Sequence, residues 1–348
     1  MECTKFGTTK TGTAVTKYIL ENKQGLRVAV TDFGAALVSI WMKDKNGTEQ
    51  DVLLGYDTAE EYEACGTNFG FVIGRNANRI AGAMCKIGDV DCKLEVNDGK
   101  NNLHTGKSGF QNKVWKAEFD SKDSTRITFS VESPDMEQGF PGNVKFSATY
   151  ELTEENELIL KYHGTTDRTT ILNPTNHAYF NLSGHNSGTI DKQQLRMHAD
   201  AYMPADEELI PTGEIRQVEN TAFDFRTFKT FGQDFFADDI QLKNAGGYDH
   251  NFMLAEKPGS CSLAAEAFSE ETGIHMNLYT DRPGVQLYCA NQMSGEKGKQ
   301  GMIYGARSGF CLEPQFPADA IHKSQFPSPL WEAGKEYVSE NILKFWVK

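Results

Sequence analysis

The sequence predicts an all-β protein, built as one large antiparallel β-sandwich whose long loops carry its function. Three observations predict this: apolar and polar residues alternate with period two from end to end, turn signals separate the alternating runs, and helical windows are few and short. Leu26, Val28 and Val30 alternate with Arg27, Ala29 and Thr31. Ile127, Phe129 and Val131 alternate with Thr128 and Ser130; Phe146, Ala148 and Tyr150 repeat the pattern, as do Leu158 and Leu160 around Ile159. Such alternation sets one face on a core and the other in water. The runs are broken at Lys45-Asn46-Gly47, Asn97-Asp98-Gly99, Gly139-Phe140-Pro141-Gly142 and Ser183-Gly184. Asn-Gly between extended runs favours a tight hairpin, and 32 glycines suit a chain with many turns.

Two helical windows are expected. In Thr58-Ala59-Glu60-Glu61-Tyr62, Thr58 is the N-cap and Glu61 completes a capping box. Phe231 to Asp239 is the second. Nothing resembles repeated strand–helix–strand units, and no linker, low-complexity tract or internal repeat is visible. Gly295-Glu296-Lys297-Gly298-Lys299-Gln300-Gly301 reads as a polar, mobile-looking loop.

Composition narrows the function. The 348 residues are 39% hydrophobic and 24% charged, ordinary for a globular chain, with a formal net charge of −13. That acidity argues against nucleic acid and anionic membrane partners. No apolar run approaches the ~20 residues of a membrane span, and the polar start Met1-Glu2-Cys3-Thr4-Lys5-Phe6 has no secretory signal. The cysteines (Cys3, Cys65, Cys85, Cys92, Cys261, Cys289 and Cys311) are odd in number and irregularly spaced, without a C-x-x-C pair. They read as free thiols in a reducing, cytoplasmic setting.

Chemistry-bearing side chains gather in segments rich in glycine, proline, asparagine and aromatics. These contain Asn78 and Arg79, then His104, then His177, then Asp249, then Gln286 after Pro283-Gly284, and finally Glu313 in Leu312-Glu313-Pro314-Gln315. Each has a second reading: Arg79 as a solvated charge, His104 and His177 as hydrogen-bonded structural histidines, Asp249 as a turn cap, Glu313 as half of a surface ion pair, Gln286 as an outward strand residue. Their joint composition is more telling. Arginine, histidine, aspartate, glutamine and glutamate together suit a neutral polyol, which needs many hydrogen-bond partners. Phosphate is poorly served, for there is no glycine-rich phosphate loop or dense Arg/Lys cluster. A metal is poorly served without paired histidines at i, i+2 or i, i+4, and no G-x-S-x-G elbow is present. Carboxylate and imidazole are the side chains best suited to move protons near neutral pH.

Several of these segments resemble the galactose mutarotase (aldose 1-epimerase) family over nearly the whole chain. Asn78-Arg79-Ile80-Ala81-Gly82 is similar to N-R-I-A-x-G, and Asn101-Asn102-Leu103-His104 to N-x-L-H. Ser133-Pro134-Asp135 with Gly139-Phe140-Pro141-Gly142-Asn143 resembles S-P-D-G-E-x-G-F-P-G-N. Thr175 to Leu182 resembles T-N-H-x-Y-F-N-L; Gly247-Tyr248-Asp249-His250 matches G-Y-D-H, Pro283-Gly284-Val285-Gln286 matches P-G-V-Q, and Leu312 to Pro317 resembles L-E-x-Q-x-F-P. Departures exist: Met136 replaces the glycine of S-P-D-G, and Gly82 and Phe316 each come one residue early.

The resemblance implies the family's supersandwich, one aldose 1-epimerase domain over residues 1–348, and interconversion of the α and β anomers of free hexoses such as glucose and galactose. It implies Glu313 as general base, His177 as general acid, and substrate binding by Asn78, Arg79, His104, Ala178, Tyr179, Asp249 and Gln286. It implies no cofactor and no metal, and a monomer or homodimer with a small-molecule sugar as its partner. The expected electrostatics are a carboxylate near its ordinary pKa and an imidazolium held charged by acceptors, Asp249 among them.

Overall fold

The computed structural model describes residues 1–64, 66–254 and 259–348, so Cys65 lies outside the described residues. Antiparallel sheets dominate. The alternating run at 126–133 forms the strand Arg126–Ser133, which pairs in register with Val144–Leu152, and that strand with Glu157–Thr166. These belong to a nine-stranded sheet that continues through Tyr337–Val347, Ile274–Thr280 and Ser262–Phe268. A five-stranded sheet is made from the strands Glu2–Thr8, Ala14–Glu21, Arg27–Thr31, Leu37–Lys43 and Glu49–Asp51. A second five-stranded sheet runs Arg216–Gln217, Ala201–Tyr202, Asp249–Met253, Gly284–Tyr288, Cys311–Gln315.

One apolar core joins all three. Leu20, Val28 and Ile40 meet Phe129, Phe146, Tyr162 and Phe345, and these meet Phe252, Leu287 and Leu312. A second cluster, with Phe6, Ala29, Tyr56, Tyr62, Phe69, Phe71 and Tyr179, covers the other side of the N-terminal sheet. The strand Arg27–Thr31 is therefore buried on both faces, not on one as its alternation predicts: Val28 and Val30 face the first cluster and Ala29 the second.

Helix is sparse, as expected. Ala59–Ala64 begins with the predicted capping box: Thr58 N–H donates to Glu61 Oε2 at 3.1 Å, and Glu61 N–H to Thr58 Oγ1 at 3.3 Å. The window Phe231 to Asp239 is not a helix. Phe231 and Phe235 are buried, but Lys229 Nζ is held by Asp234 (2.8 Å) and the Ala222 carbonyl (2.6 Å), and the chain folds into successive turns. The helix starts where the window ends. Asp239 caps Ile240–Ala245 by accepting from Gln241 N–H at 2.7 Å.

The segment 295–301 is not a mobile polar loop either. Its Lys299 is buried, and Nζ donates to Asp51 (2.8 Å), Ser39 Oγ (2.8 Å) and the Leu53 and Val38 carbonyls. A buried ammonium persists only when such partners replace its water. The segment is thereby pinned against the N-terminal sheet. Among the described residues no helix is long and apolar enough to cross a membrane.

Candidate active site

The strands Asp249–Met253, Gly284–Tyr288 and Cys311–Gln315 turn one face to the core through His250, Phe252, Val285, Leu287 and Leu312. Strand periodicity then sends Asp249, Gln286, Tyr288, Cys311 and Glu313 to the other face. Cross-strand register sets Gln286 directly beside Glu313, and Asp249 beside Tyr288. Gln286 Nε2 donates to Asp249 Oδ1 at 2.7 Å.

The segment after Asn176 crosses this face. His177 N–H donates to the Phe71 carbonyl (2.9 Å), and Phe180 exchanges two main-chain hydrogen bonds with Phe310. Alternation aims His177 and Tyr179 into the cleft, where their rings stack with centroids 5.0 Å apart. Ala178 and Phe180 join the apolar core. Ala178, expected among the substrate-binding residues, is not brought to the cleft wall: its side chain lies on the opposite face of an extended segment. His250, part of the G-Y-D-H match, is likewise a core residue, packed on Phe223 at 4.7 Å.

The remaining wall comes from Arg79–Ile80 paired with Asn102–Leu103. Asn78 (φ 64°) and His104 (φ 52°) adopt left-handed backbone, which is costly for such residues and clusters at functional sites. Asn78 N–H donates to His104 Nδ1 at 3.1 Å, and His104 N–H returns a bond to the Asn78 carbonyl at 3.1 Å. Arg79 is buried, not solvated. Its Nε donates to Asp98 at 2.7 Å, and its guanidinium lies 3.9 Å from Asp249.

The resulting cleft measures about 260 Å³, at the small end of ligand sites. Asn78, Arg79, His104, His177, Tyr179, Asp249, Gln286 and Glu313 all line it. Sequence reasoning missed Asn68, Tyr288, Gln292, Met293 and Glu296, which complete the wall. Tyr288 lies two residues past Gln286, Glu296 lies within the glycine-rich stretch 295–301, and Gln292 and Met293 lie just before it, whereas Asn68 has no such neighbour.

At the centre, His177 Nε2 lies 3.7 Å from Glu313 Oε1. Glu313 is 2% exposed, and its Oε2 has no hydrogen-bond partner within the protein among the described residues. Burial, then the nearby Asp249, pushes the Glu313 carboxyl well above the usual range, against the pull of Arg79. Burial pushes His177 down to about 4, with its own carbonyl opposing slightly. His104 is lowered by burial and by His177 and Arg79. Asp249 is raised by burial despite Arg79 and Gln286. These directions correct the expected electrostatics: desolvation outweighs neighbouring charge at every group, and Asp249 acts on Glu313 rather than holding an imidazole charged. Both shifts favour the neutral form of each partner, with the carboxyl holding its proton more tightly than the imidazole.

Among the described residues one set offers three donor atoms within 4.8 Å of one another: His177, Cys311 and Glu313. Spacing arguments overlook such a set because its ligands come from separate segments. It coincides with the acid–base pair. Carboxyl, imidazole and amide groups surround a polar cleft, an arrangement able to deliver and withdraw protons on a small neutral ligand.

The family profile of aldose 1-epimerases matches residues 16–344. A galactose mutarotase from Bos taurus is 39% identical over 96% of this chain and 94% of its own. An aldose 1-epimerase from Escherichia coli K12 is 34% identical over 94% of each. Among solved structures, an aldose epimerase homologue from C. elegans superposes with a TM-score of 0.86 at 32% identity, covering 96% of this chain and 99% of the other. A galactose 1-epimerase from Lactobacillus acidophilus gives 0.86 at 30%, covering 99% and 98%. Motifs, sheet order and end-to-end similarity agree, and the chain belongs to the aldose 1-epimerase family of isomerases.

Proposed function

We propose that the cleft interconverts the α and β anomers of a free aldohexose such as glucose or galactose, with Glu313 as base and His177 as acid. Glu313 takes the proton of the C1 hydroxyl. The C1–O5 bond breaks, its electron pair passes to O5, and O5 takes the proton from His177 Nε2. The product is the open-chain aldehyde. Rotation about C1–C2 presents the other face of the carbonyl. O5 then attacks C1 and returns its proton to Nε2, while the carbonyl oxygen recovers a proton from Glu313. No atom is gained or lost.

The observation that carries this reading is the buried carboxyl–imidazole contact of 3.7 Å in a cleft lined by hydrogen-bonding side chains. Burial favours the arrangement with the proton on Glu313 in the empty pocket. Moving it to His177 readies both groups without changing the net charge. Sugar hydroxyls donating to the carboxylate favour that shift. Positioned acid and base groups each supply roughly 10²–10⁴-fold. Arg79, Asn78, His104, Asp249 and Gln286 hold the sugar hydroxyls and ring oxygen, and Tyr179 backs the His177 ring.

Charge supports a free sugar over a sugar phosphate: among the described residues that line the cleft, Arg79 is the one arginine or lysine, beside Asp249, Glu296 and Glu313. Residues 1–348 are read as one domain, a monomer or homodimer that works without cofactor. Free thiols at Cys3, Cys85, Cys92, Cys261, Cys289 and Cys311 favour a cytoplasmic location. The net charge of −13 disfavours nucleic acid. Polarimetry of freshly dissolved α-glucose and α-galactose, with glucose 6-phosphate alongside, tests the proposal. Faster decay of rotation for the free sugars is expected; the same decay with and without protein ends it.

A further inference from the structure

The two histidines facing each other across the cleft, ring centroids 5.3 Å apart, are wired differently at Nδ1. His104 accepts there from the Asn78 main-chain N–H. A main-chain N–H can only donate, so this nitrogen stays unprotonated and the ring proton sits on Nε2. His104 is a fixed donor. His177 Nδ1 instead meets Cys311 Sγ at 3.5 Å. A thiol has both a rotatable hydrogen and lone pairs, and it donates or accepts, weakly in each direction.

We propose that Cys311 is a positioning residue whose thiol partners Nδ1 of His177 in either protonation state, so that the proton exchanged with substrate is always the one on Nε2. The proposal rests on the reading of His177 as the acid. When the ring is charged, Nδ1–H donates to sulfur. When Nε2 has given its proton to O5, that bond remains.

Geometry favours this arrangement. Cys311 and Glu313 are alternate residues of one strand, so a single backbone segment places the base and the partner of the acid on the same face. Burial and the nearby Glu313 hold Cys311 as a thiol rather than a thiolate. The other groups around the ring are Glu313 at Nε2, Tyr179 stacked on one face, and the edges of His104 and Tyr288. The His177 carbonyl is a further acceptor near the ring.

Two substitutions separate this role from simple packing. Cys311→Ser retains a two-way partner in a polar form, whereas Cys311→Val retains apolar bulk and no partner. Outer partners of functional imidazoles in metal sites are worth roughly 10–100-fold, and a loss on that scale in kcat is expected for Cys311→Val, with KM little changed. Cys311→Ser is expected to stay within about tenfold of the parent, with the acid limb of its pH profile displaced. The reverse order, Val active and Ser impaired, would assign Cys311 to packing. Equal activity of parent and Val would leave the carbonyl as sufficient partner and overturn the proposal. Imidazole ¹⁵N spectra of the parent add a readout independent of turnover: His104 Nδ1 stays bare from about pH 5 to about pH 8, and as the pH falls below that range toward about 4, where His177 takes up its proton, the change is at Nε2. Exchange at Nδ1 of His177 would refute the wiring even if both variants failed to fold. A parent inactive on every aldose would instead sink the assigned reaction while leaving the spectra to decide the wiring.

Discussion

Replacing Glu313 by glutamine separates what this residue does for the reaction from what it does for the fold. The swap preserves shape in a site that is 2% exposed. It removes the base, so kcat is expected to fall by roughly 10²–10⁴-fold, about 3–5 kcal/mol at 1.36 kcal/mol per decade. Stability is expected to move the other way. Burial and Asp249 raise the folded-state pKa of Glu313 above 4.5. The folded protein therefore binds this proton more tightly than the unfolded chain. Ionisation then favours unfolding as pH rises from 4.5 through the raised value. Glutamine has no such penalty. The variant should melt at or above the parent temperature near neutral pH, and its advantage should shrink toward pH 4.5. Polarimetric rates and thermal unfolding at several pH values measure both effects. The reasoning is refuted if the variant keeps more than about a tenth of the parent rate, or if it is less stable than the parent by a margin that grows with pH.

Three further outcomes follow from the site and its support. Asp249→Asn removes a charge that raises Glu313, so the acid limb of kcat/KM, set by ionisation of the base, should move to lower pH; an unmoved or rising limb contradicts the charge argument. Lys299→Met leaves Asp51 and two buried carbonyls without their ammonium, and thermal unfolding should show a loss on the scale of ~3–5 kcal/mol. Because Lys299 lies outside the reacting pair, folded Lys299→Met should keep most of the parent kcat. Dialysis against a strong chelator should leave the mutarotation rate unchanged, whereas a loss restored by added zinc would give the His177–Cys311–Glu313 set a metal role.

The strands were legible wherever one face meets water. Arg126–Ser133 alternates cleanly because its outer residues reach solvent, and Val144–Leu152 does so except at Thr149, which is buried. Residues 27–31 alternate in sequence yet are buried on both faces, because a second apolar cluster lies outside the N-terminal sheet. Nothing local announces a second layer. The site was legible as residue types in unusual contexts, since glycines, prolines, asparagines and aromatics mark the segments that turn inward. What each side chain faces was less legible: Ala178 sits between two cleft residues and points away from both. Cys311 reads in the sequence as one free thiol among several, and it is buried. Its contact with His177 depends on how two distant segments cross. The pKa directions were unreadable for the same reason, since desolvation is set by the whole surrounding fold. Lys299 shows the converse error, a polar residue in a glycine-rich stretch whose partners lie more than two hundred positions away.

The strands that floor the cleft are packed against apolar side chains at every second position. A single-residue insertion in Cys311–Gln315 would present Leu312 to the substrate and drive a carboxyl into the oily interior. Length changes in these strands are therefore closed to this fold as a route to new sugar preferences. The rim around Gln292, Met293 and Glu296 lies outside the floor strands. It can change composition and shape while the proton-moving pair stays where it is, and selectivity among aldoses has its freest ground there.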